Sequence, residues 1–403
     1  MSATPPLLSR HRSRAALISS YADDADAVPI VQTFGQLDIE YAALRKHCVL
    51  FDAPHRGTLE ITGADRLTFL DAMVTQRTRD LQPGQWCDSF WLTRKGRIAA
   101  DLRLIELPGR LLVDLDRLVA KATPDSLAEF LFSEDVTITD RTSDLCRLWL
   151  LGPTSVLLLA EICDRSPEEL EPGTAAEFTI GGAPVIIVRD NLADVPAFHL
   201  TVECDRAGEV YDRLIEVGEA PETDPGESLP DTPASRIRLK PSGWHAINVA
   251  RIESGAPMFN IDFGATNLPA ETSLLDSRVD FKKGCYLGQE VVARMDALGH
   301  PKQAIVALRV EGTDDLDHPP QADTGAELHA PDDPDKPLGA VTSSTISPML
   351  SAASICLAMV KWGSHEPGTE LTLLAEGRQA KATVQPALAS WPRPASDGSS
   401  DRR

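Results

Sequence analysis

The sequence predicts an α+β fold with mixed, mostly antiparallel sheets, followed by a small C-terminal β-barrel. Three observations support this prediction. Short strand-like and helix-like runs alternate from Val49 to about residue 300, and they show no fixed-period repeat. From Gln303 to about Leu388 the chain has only short β-runs with Gly and Pro turns. The chain has 403 residues, of which 42% are hydrophobic, so it is long enough for two or three domains with sizeable cores.

Local patterns predict the individual elements of the larger part. Residues 58–62 alternate as in a strand, and residues 63–74 place apolar side chains on one face of a helix. Two strands at 86–93 and 98–107 flank Arg94-Lys-Gly96, which predicts a hairpin with a glycine turn. Further strands are predicted at 111–115, 136–139, 148–151, 185–188 and 199–202, and further helices at 119–131, 153–162, 207–215 and 243–253.

Composition predicts where the domains begin and end. Residues 1–30 are expected to be a disordered lead-in, and residues 31–300 are expected to form the main α+β domain. Within this domain, residues 218–242 are rich in Pro, Glu, Asp and Ser, which favours a solvated acidic insertion. Residues 301–388 are expected to form the barrel domain, and residues 389–403 a disordered tail.

The charge balance excludes several classes of partner. Lys and Arg total 39 and Asp and Glu total 60, which gives a formal net charge of −21. Such a charge disfavours non-specific binding to nucleic acid or to an anionic membrane, although it leaves room for a local basic pocket. The sequence contains no run of 18 apolar residues and no secretory signal at its start. We therefore predict a soluble cytoplasmic protein without nucleic-acid or membrane partners; its oligomeric state stays open.

Cysteine and histidine spacings argue against preformed metal sites. The seven cysteines are odd in number and widely spaced, and no C-x-x-C occurs. This pattern argues against a disulfide framework and against a zinc or iron–sulfur site, and it favours a reducing compartment. The nine histidines form no H-E-x-x-H pair, and neither a P-loop nor a G-x-S-x-G elbow is present. No metal is predicted.

The most informative stretch is residues 281–294, Phe-Lys-Lys-Gly-Cys-Tyr-Leu-Gly-Gln-Glu-Val-Val-Ala-Arg. It places Cys285 between two glycines and beside a basic pair, and nearby lysines favour the reactive thiolate form of a cysteine. The residues from Gln289 onward are typical of the first turns of a helix, with an acidic side chain near its positive end. Spacing alone favours a small buried residue of the core at Cys285.

The octapeptide Lys283-Gly-Cys-Tyr-Leu-Gly-Gln-Glu290 is similar to the K-G-C-[FY]-x-G-Q-E signature of the YgfZ family. Members of this family are folate-binding relatives of the glycine-cleavage T-protein, an aminomethyltransferase, and they act in iron–sulfur protein maturation. The resemblance covers residues 45–385 and implies a T-protein-like folate-binding domain followed by the barrel. Weaker matches follow in the family's order at residues 48–57, 69–76, 92–102, 250–257, 267–271 and 341–348.

The resemblance also implies a set of folate-binding residues. Glu253 matches the position whose carboxylate accepts two hydrogen bonds from the pterin, although it could instead pair with a neighbouring basic residue. Arg294 is a candidate for the folate tail or for a structural ion pair. Lys283 could bind the same tail or keep Cys285 ionised. Tyr286 could stack on the pterin or pack as a core aromatic.

Asp101 resembles an acidic position on the T-protein hairpin that faces the reactive nitrogens of folate. Its implied role is to steer charge or protons; the alternative is a surface charge on the hairpin. A second acidic residue is expected directly before it, and here that position is Ala100. This departure argues against aminomethyl transfer and leaves folate binding untouched.

Three functions follow from these residues. The first is a tetrahydrofolate-binding protein of YgfZ type that assists iron–sulfur cluster assembly or repair through Cys285. Its cofactor would be tetrahydrofolate or a one-carbon derivative, and its partners iron–sulfur client or assembly proteins. The second is a folate-dependent aminomethyltransferase or demethylase. The third is a non-enzymatic binding module in which Cys285 is buried; the sequence leaves open whether a reaction is turned over.

Overall fold

The computed structural model describes residues 5–22, 27–219, 236–311 and 320–390. Contacts divide the chain into two compact units. The first unit contains Met1–Ile247, Ala265–Pro269 and Leu274–Ala297, and the second contains Asn248–Gly264, Ala270–Ser273 and Leu298–Arg403.

The first unit contains three sheets. A two-stranded sheet pairs β1 with β2, a five-stranded sheet has the order β5-β6-β7-β4-β8, and a six-stranded sheet has the order β10-β11-β12-β9-β3-β13. The strands are β1 (Leu17–Tyr21), β2 (Val28–Thr33), β3 (Cys48–Asp52), β4 (Arg56–Thr62), β5 (Trp86–Leu92), β6 (Ile98–Leu107), β7 (Arg110–Asp116), β8 (Thr137–Asp140), β9 (Leu145–Leu151), β10 (Ala175–Ile180), β11 (Ala183–Leu192), β12 (Val195–Glu203) and β13 (Leu239–Pro241).

Ten α-helices occur in the described residues. They are α1 (Leu8–Ser13), α2 (Leu37–Lys46), α3 (Arg66–Met73), α4 (Arg117–Ala120), α5 (Ala122–Ala128), α6 (Ser155–Ile162), α7 (Ala207–Gly218), α8 (Trp244–Glu253), α9 (Leu275–Arg278) and α10 (Gln289–Leu298). Short 3-10 helices lie at Pro167–Glu169, Pro269–Glu271 and Pro348–Leu350.

Helices cover one apolar face of each large sheet in the first unit. Phe69 and Leu70 of α3 and Leu127 of α5 pack on the five-stranded sheet. Leu158 of α6 and Val210 of α7 pack on the six-stranded sheet in the same way. This burial of apolar area drives the folding of both layers.

The opposite faces of the two sheets meet each other. An apolar contact joins Ile105 of β6 and Leu112 of β7 to Ile186 and Val188 of β11. In the described residues the sheets pair antiparallel throughout, except that β13 runs parallel to β3. The predicted α+β class with mostly antiparallel sheets is therefore confirmed.

The second unit contains a closed six-stranded barrel with the order β14-β17-β16-β15-β18-β19. Its core is built from small and medium apolar side chains, including Leu308, Leu328 and Leu371. The predicted C-terminal barrel is confirmed. Its strands are β14 (Gln303–Val310), β15 (Glu327–Ala330), β16 (Asp333–Ser347), β17 (Ala353–Lys361), β18 (Glu370–Ala375) and β19 (Arg378–Val384).

The lead-in differs from the sequence expectation of disorder over residues 1–30. α1 and β1 form within it, and Leu7 is 1% exposed. Two ion pairs fasten α1 and the residue that follows it to the first unit: Arg10 binds Asp212 at 2.7 Å, and Arg14 binds Glu219 at 2.6 Å. The sequence of the segment gives no sign of these ion pairs, because the acidic partners lie about 200 residues further along the chain.

The structure describes part of the predicted insertion and part of the predicted tail. The expected insertion at 218–242 contains β13, whose Leu239 is 1% exposed, while residues 220–235 lie outside the described part. The predicted tail from residue 389 also lies outside it, apart from residues 389 and 390. Burial of Leu239 against the six-stranded sheet explains why a strand forms within a polar stretch.

The expectation about cysteines is corrected at one pair. Cys146, on β9, and Cys204, directly after β12, form a disulfide with a Cα–Cα distance of 5.0 Å. The two strands are hydrogen-bonded neighbours in the sheet, so residues 58 positions apart are brought side by side. Sequence spacing could not reveal this pairing, because register rather than separation decides which cysteines meet.

Gly152 offers a test of close backbone packing. Its φ is +121°, and a Cβ there would lie 2.4 Å from the carbonyl oxygen of His47. We expect Gly152→Ala to lower the free energy of unfolding by about 3 kcal/mol, measured by urea denaturation. Gly109→Ala is the control, because Gly109 also has a positive φ (+79°) but nothing lies within 4 Å of its Cβ position. Its expected cost is about 1 kcal/mol, and equal costs would refute the steric explanation.

Candidate functional site

The layer between the two large sheets of the first unit carries many charges, although such a layer is normally apolar. Side chains alternate along a strand, so Asp101 and Arg103 on β6 share a face with Asp114 on the neighbouring strand β7. Arg103 forms an ion pair at 2.7 Å with Asp190 of β11, in the other sheet. The charged face of the five-stranded sheet therefore points toward the six-stranded sheet.

Six residues form what we call the inter-sheet cluster: Asp88, Asp101, Arg103, Asp190, His199 and Arg278. Arg278, the last residue of α9, donates from Nε to Asp101 at 2.8 Å and from Nη1 to Asp88 at 2.9 Å. Arg103 donates to Asp88 at 2.8 Å, which links it to the same carboxylate. His199 Nε2 lies 3.6 Å from Asp190. The five aspartates and arginines of the cluster thus form one continuous chain of alternating charges, with the imidazole of His199 at its end.

The two carboxylates that share Arg278 have opposite pKa shifts. Burial raises the pKa of Asp101, and the positive charge of Arg278 offsets this only in part. Burial would also raise the pKa of Asp88, but Arg103 and Arg278 together lower it below its usual value. Paired carboxylates with separated pKa values are suited to acid–base chemistry, because one stays charged while the other exchanges a proton.

A second charged group extends the layer toward β4. Asp114 pairs with Arg56 at 2.8 Å and with Arg147 of β9 at 3.3 Å. Burial opposes ionisation of Asp114, but these two guanidinium groups lower its pKa to about 2. One carboxylate therefore pairs with two arginines, and Asp116 and Asp101 also act electrostatically on Arg56.

Several buried polar atoms in this layer have no hydrogen-bond partner within the described protein residues. They include both ring nitrogens of His55, Nδ1 of His199, Nε1 of Trp149 and Oγ1 of Thr201. An unpaired polar group of this kind costs free energy unless water or a ligand satisfies it. Water or a polar ligand could satisfy these donors and acceptors.

Aromatic rings accompany these unpaired atoms. The ring of Trp149 makes edge contacts with His55 and His199, at centroid distances of 5.3 and 5.2 Å. Burial lowers the pKa of His55 to about 3 and also lowers the pKa of His199, so both imidazoles stay neutral at physiological pH. Neutral imidazole offers one donor and one acceptor, which suits recognition of an uncharged heterocycle.

The structure places Asp101 in the inter-sheet cluster, and the alternative of a hairpin surface charge is wrong. Cys285 lies in the loop before α10 and is exposed, so the alternative of a small buried cysteine is also wrong. Arg294 is exposed on α10, while Tyr286 is 7% exposed and packs as a buried aromatic. The roles of Cys285, Arg294 and Tyr286 toward folate remain predictions.

Lys283 has a different environment from the one its sequence position suggests. Its side chain is buried, and Nζ donates hydrogen bonds at 2.8 Å to the carbonyl oxygens of Val74 and Gln76. Burial lowers its pKa, partly offset by Asp71. In this arrangement Lys283 fastens the Cys285 loop to the end of α3, and its predicted role at the folate tail stays a prediction.

Glu253 belongs to the second unit. It is the last residue of α8, its exposed fraction is 0%, and its carboxylate accepts a hydrogen bond from the hydroxyl of Ser347 on β16. Nearby, Arg251 forms a buried ion pair with Asp262 at 2.7 Å. The predicted contact of Glu253 with a pterin remains a prediction.

Sequence reasoning missed most of the inter-sheet cluster. Charges at alternate positions of Ile98–Leu107 and Arg110–Asp116 look like the solvent face of a half-buried strand. The same alternation arises when the charged faces of two sheets meet, and only the stacking distinguishes the two cases. Arg278 gave no local signal, because its partners Asp88 and Asp101 are 190 and 177 residues away.

Comparisons with known proteins show the fold and the family of this chain. The α+β domain with its C-terminal barrel is similar to a solved structure of the glycine cleavage system aminomethyltransferase T from Bartonella henselae. The TM-score is 0.81 and the sequence identity 20%, covering 97% of this chain and 98% of that one. Residues 19–228 match the GCVT N-terminal domain, and residues 304–388 match the glycine cleavage T-protein C-terminal barrel domain. The chain therefore belongs to the glycine-cleavage T-protein family.

Two curated relatives illustrate the distance within the family. An aminomethyltransferase from Cutibacterium acnes is 27% identical over 361 residues, covering 86% of this chain and 88% of the relative. An aminomethyltransferase from Synechococcus sp. (strain RCC307) is 25% identical over 357 residues, covering 87% and 89%. Separately, no helix in the described ranges is both long and apolar enough to span a bilayer.

His55 provides a test of the buried neutral imidazoles. An unfolded imidazole takes up a proton below about pH 6.5, whereas the folded one does so only near its pKa of about 3. Stability must therefore fall as the pH decreases through this window, by about 2 kcal/mol between pH 7 and pH 5 from His55 alone. We expect His55→Gln to remove that part of the pH dependence in urea denaturation.

The control is His245→Gln, which alters an exposed imidazole on α8 and is expected to leave the pH dependence unchanged. A His55→Gln protein with the same loss of stability between pH 7 and pH 5 as the wild type would contradict the buried, neutral state of His55.

Proposed function

We propose that this chain binds a reduced folate in its first unit and acts as a folate-dependent one-carbon transferase of the aminomethyltransferase class. Membership of the T-protein family and the curated aminomethyltransferase relatives support this class. The observation that carries the proposal is Asp101, a carboxylate of raised pKa held by Arg278 inside a buried layer with unpaired polar atoms.

Each part of the inter-sheet layer has a chemical task in this proposal. When bound, tetrahydrofolate supplies the nitrogens that accept a one-carbon group. Asp101 holds or releases a proton at Oδ1 or Oδ2, and its raised pKa brings it closer to the operating pH. Asp88 stays ionised and, through Arg278, keeps the carboxylate of Asp101 in place. The low exposure of the layer excludes water, which strengthens these electrostatic interactions.

Ala100 limits what kind of transfer the site can perform. The family resemblance leads one to expect a second acidic residue directly before Asp101, and this chain has a methyl group there. The side chain of Ala100 is fully buried on the apolar face of β6, so no carboxylate of this strand takes its place. A donor other than the aminomethyl group of the glycine cleavage system is compatible with this change.

We expect Asp101→Asn to lower turnover of a methylamine-type donor with tetrahydrofolate at least hundredfold. Binding of tetrahydrofolate, measured by calorimetry, should weaken less than tenfold, because the amide keeps one acceptor oxygen. Asp125→Asn on α5 is the control and should leave both values unchanged. Wild-type protein that binds no reduced folate at saturating concentration would refute the proposal.

Glu253 is tested in the same calorimetric assay. The sequence resemblance assigns its carboxylate to the pterin, and Glu253→Gln keeps the shape of the side chain while removing its charge. A loss of affinity of about tenfold supports that assignment. An unchanged affinity would contradict that assignment and leave Glu253 a structural role, which includes its hydrogen bond with Ser347 in the second unit.

A second candidate function is favoured by the exposure of Cys285 within its YgfZ-like signature. In this function the chain binds folate without turnover and assists iron–sulfur cluster assembly or repair, with Cys285 as the reactive group. An exposed thiol can reach a protein partner, as such a role requires. Tight folate binding without turnover of any one-carbon donor would favour this function over the first.

The test uses cells that lack the native protein. We expect Cys285→Ala to fail to restore the activity of iron–sulfur enzymes, whereas Cys163→Ala should restore it. Cys163 is a suitable control because it is half-buried and burial raises its pKa to about 12, which keeps it protonated. Full rescue by Cys285→Ala would remove this cysteine from the function.

A further inference from the structure

A pocket of about 350 Å³, which we call the Arg189 pocket, lies at the helix-covered face of the six-stranded sheet. Arg189 on β11 and Phe198 on β12 line it and are direct cross-strand partners. Phe198 packs in the same apolar core as Leu158 of α6, so both side chains lie on the outer face of the sheet. Asp190 and His199, the next residues along the two strands, point the opposite way, into the inter-sheet cluster. The pocket is therefore separate from the layer proposed to bind folate.

The protein holds Arg189 in place at the pocket wall. Its amide donates to the carbonyl oxygen of Thr174 at 2.8 Å, and its carbonyl oxygen accepts from the amide of Gly173 at 3.1 Å. The guanidinium lies over the ring of Phe198, 4.6 Å from the ring centroid, and Nη1 donates to the carbonyl oxygen of Asp190 at 3.0 Å. The orientation of the guanidinium is thus set by the protein itself.

The other edge of the guanidinium is open. Within the described ranges of the chain, Nε and Nη2 of Arg189 make no hydrogen bond, no carboxylate forms an ion pair with this arginine, and both atoms keep access to solvent. Burial lowers the pKa of Arg189, and Asp190 offsets this only in part, since its carboxylate is paired with Arg103. In Arg103, Nε and Nη2 bind the two oxygens of Asp88 at 2.8 and 3.2 Å. The same edge of Arg189 is suited to bind the carboxylate of a ligand.

The rest of the wall combines apolar side chains with two carboxylates. Val156 of α6 and Leu170 line the pocket and are half-buried. Glu168 and Glu171 also line it, and both side chains are exposed. A ligand that matches all of these groups has a carboxylate for Arg189, a cation for the two glutamates and an apolar body.

We propose that the Arg189 pocket binds a free α-amino acid with an apolar side chain. The α-carboxylate accepts hydrogen bonds from Nε and Nη2 of Arg189, the α-ammonium pairs with Glu168 and Glu171, and the side chain packs against Val156 and Leu170. The volume of the pocket lies at the lower end of the range for small-molecule sites, about 300–1,000 Å³, which suits a ligand of this size. This binding requires neither folate nor Cys285.

The charges of the wall discriminate between ligands of similar shape. A carboxylate without an ammonium is attracted by Arg189 and repelled by the two glutamates, and an amine without a carboxylate meets the reverse. A zwitterion places each of its charges next to an opposite charge of the wall. A preference for the zwitterion over both singly charged analogues therefore follows from the proposal.

Three ligands with the same branched carbon chain test this preference by calorimetry on the full chain without folate. They are leucine, 4-methylpentanoate, which lacks the ammonium, and 3-methylbutylamine, which lacks the carboxylate. We expect leucine to bind at least tenfold more tightly than either analogue, because each analogue loses one charged contact. Wild-type protein that binds none of the three at millimolar concentration would overturn the proposal, as would an analogue that binds as tightly as leucine. Folate is absent, so neither result bears on the proposed function.

Variants of two arginines assign the binding to this pocket. Arg189→Gln should weaken leucine binding at least tenfold. Arg165→Gln is the matched control and should preserve it: Arg165 also stacks on a phenylalanine, Phe178, at 4.3 Å and donates to a backbone carbonyl, but it does not line the pocket. An unchanged affinity in Arg189→Gln would place the binding elsewhere and overturn the proposal.

The two glutamates are tested together, with Glu168→Gln and Glu171→Gln in one protein. This variant should lose the preference for leucine over 4-methylpentanoate. Glu161→Gln, which alters an exposed glutamate of α6 outside the pocket wall, should keep it. A preference that survives in the double variant would contradict the pairing of the α-ammonium with these carboxylates.

Discussion

A charge buried between two packed sheets must be paired with an opposite charge, and this requirement constrains the structure of the first unit. Helices cover the apolar outer face of each sheet, so the inner faces of the two sheets pack against each other. On those faces Asp88, Asp101, Asp114 and Asp190 are matched by arginines from both sheets and from α9. An unmatched charge in such a layer would cost several kcal/mol, so the register of both sheets must bring the partners together.

Arg278 shows how a segment outside the sheets completes this arrangement. It ends the short helix α9, and its backbone carbonyl accepts a hydrogen bond from Thr75 at 2.6 Å. Seven residues later, Cys285 is exposed on a loop that Lys283 fastens to the carbonyls of Val74 and Gln76. The segment thus contributes a buried cation to the inter-sheet cluster and an exposed thiol to the surface, and the octapeptide signature contains only the second of these.

The agreement between sequence and structure follows the range of the interactions involved. The hairpin of β5 and β6 and the barrel strands were predictable, because alternation and glycine turns act within a few residues. The helix expected at 119–131 is instead two short helices, α4 and α5, and Asp116 caps the first by accepting from the amide of Leu118 at 2.9 Å. Strand β10 was not predicted, since it is defined by its pairing with β11.

Local periodicity and a contiguous signature were enough to predict the class of fold, the barrel and the T-protein-like character of the chain, because that information lies within short stretches of residues. The packing of the two sheets, in contrast, determines that the charges on β6 and β7 face a second sheet rather than water. The tertiary structure also determines that Arg278 joins them, and that two of seven widely spaced cysteines are neighbours. These features depend on sheet stacking and strand register, which join residues far apart in the chain and leave no trace in local patterns.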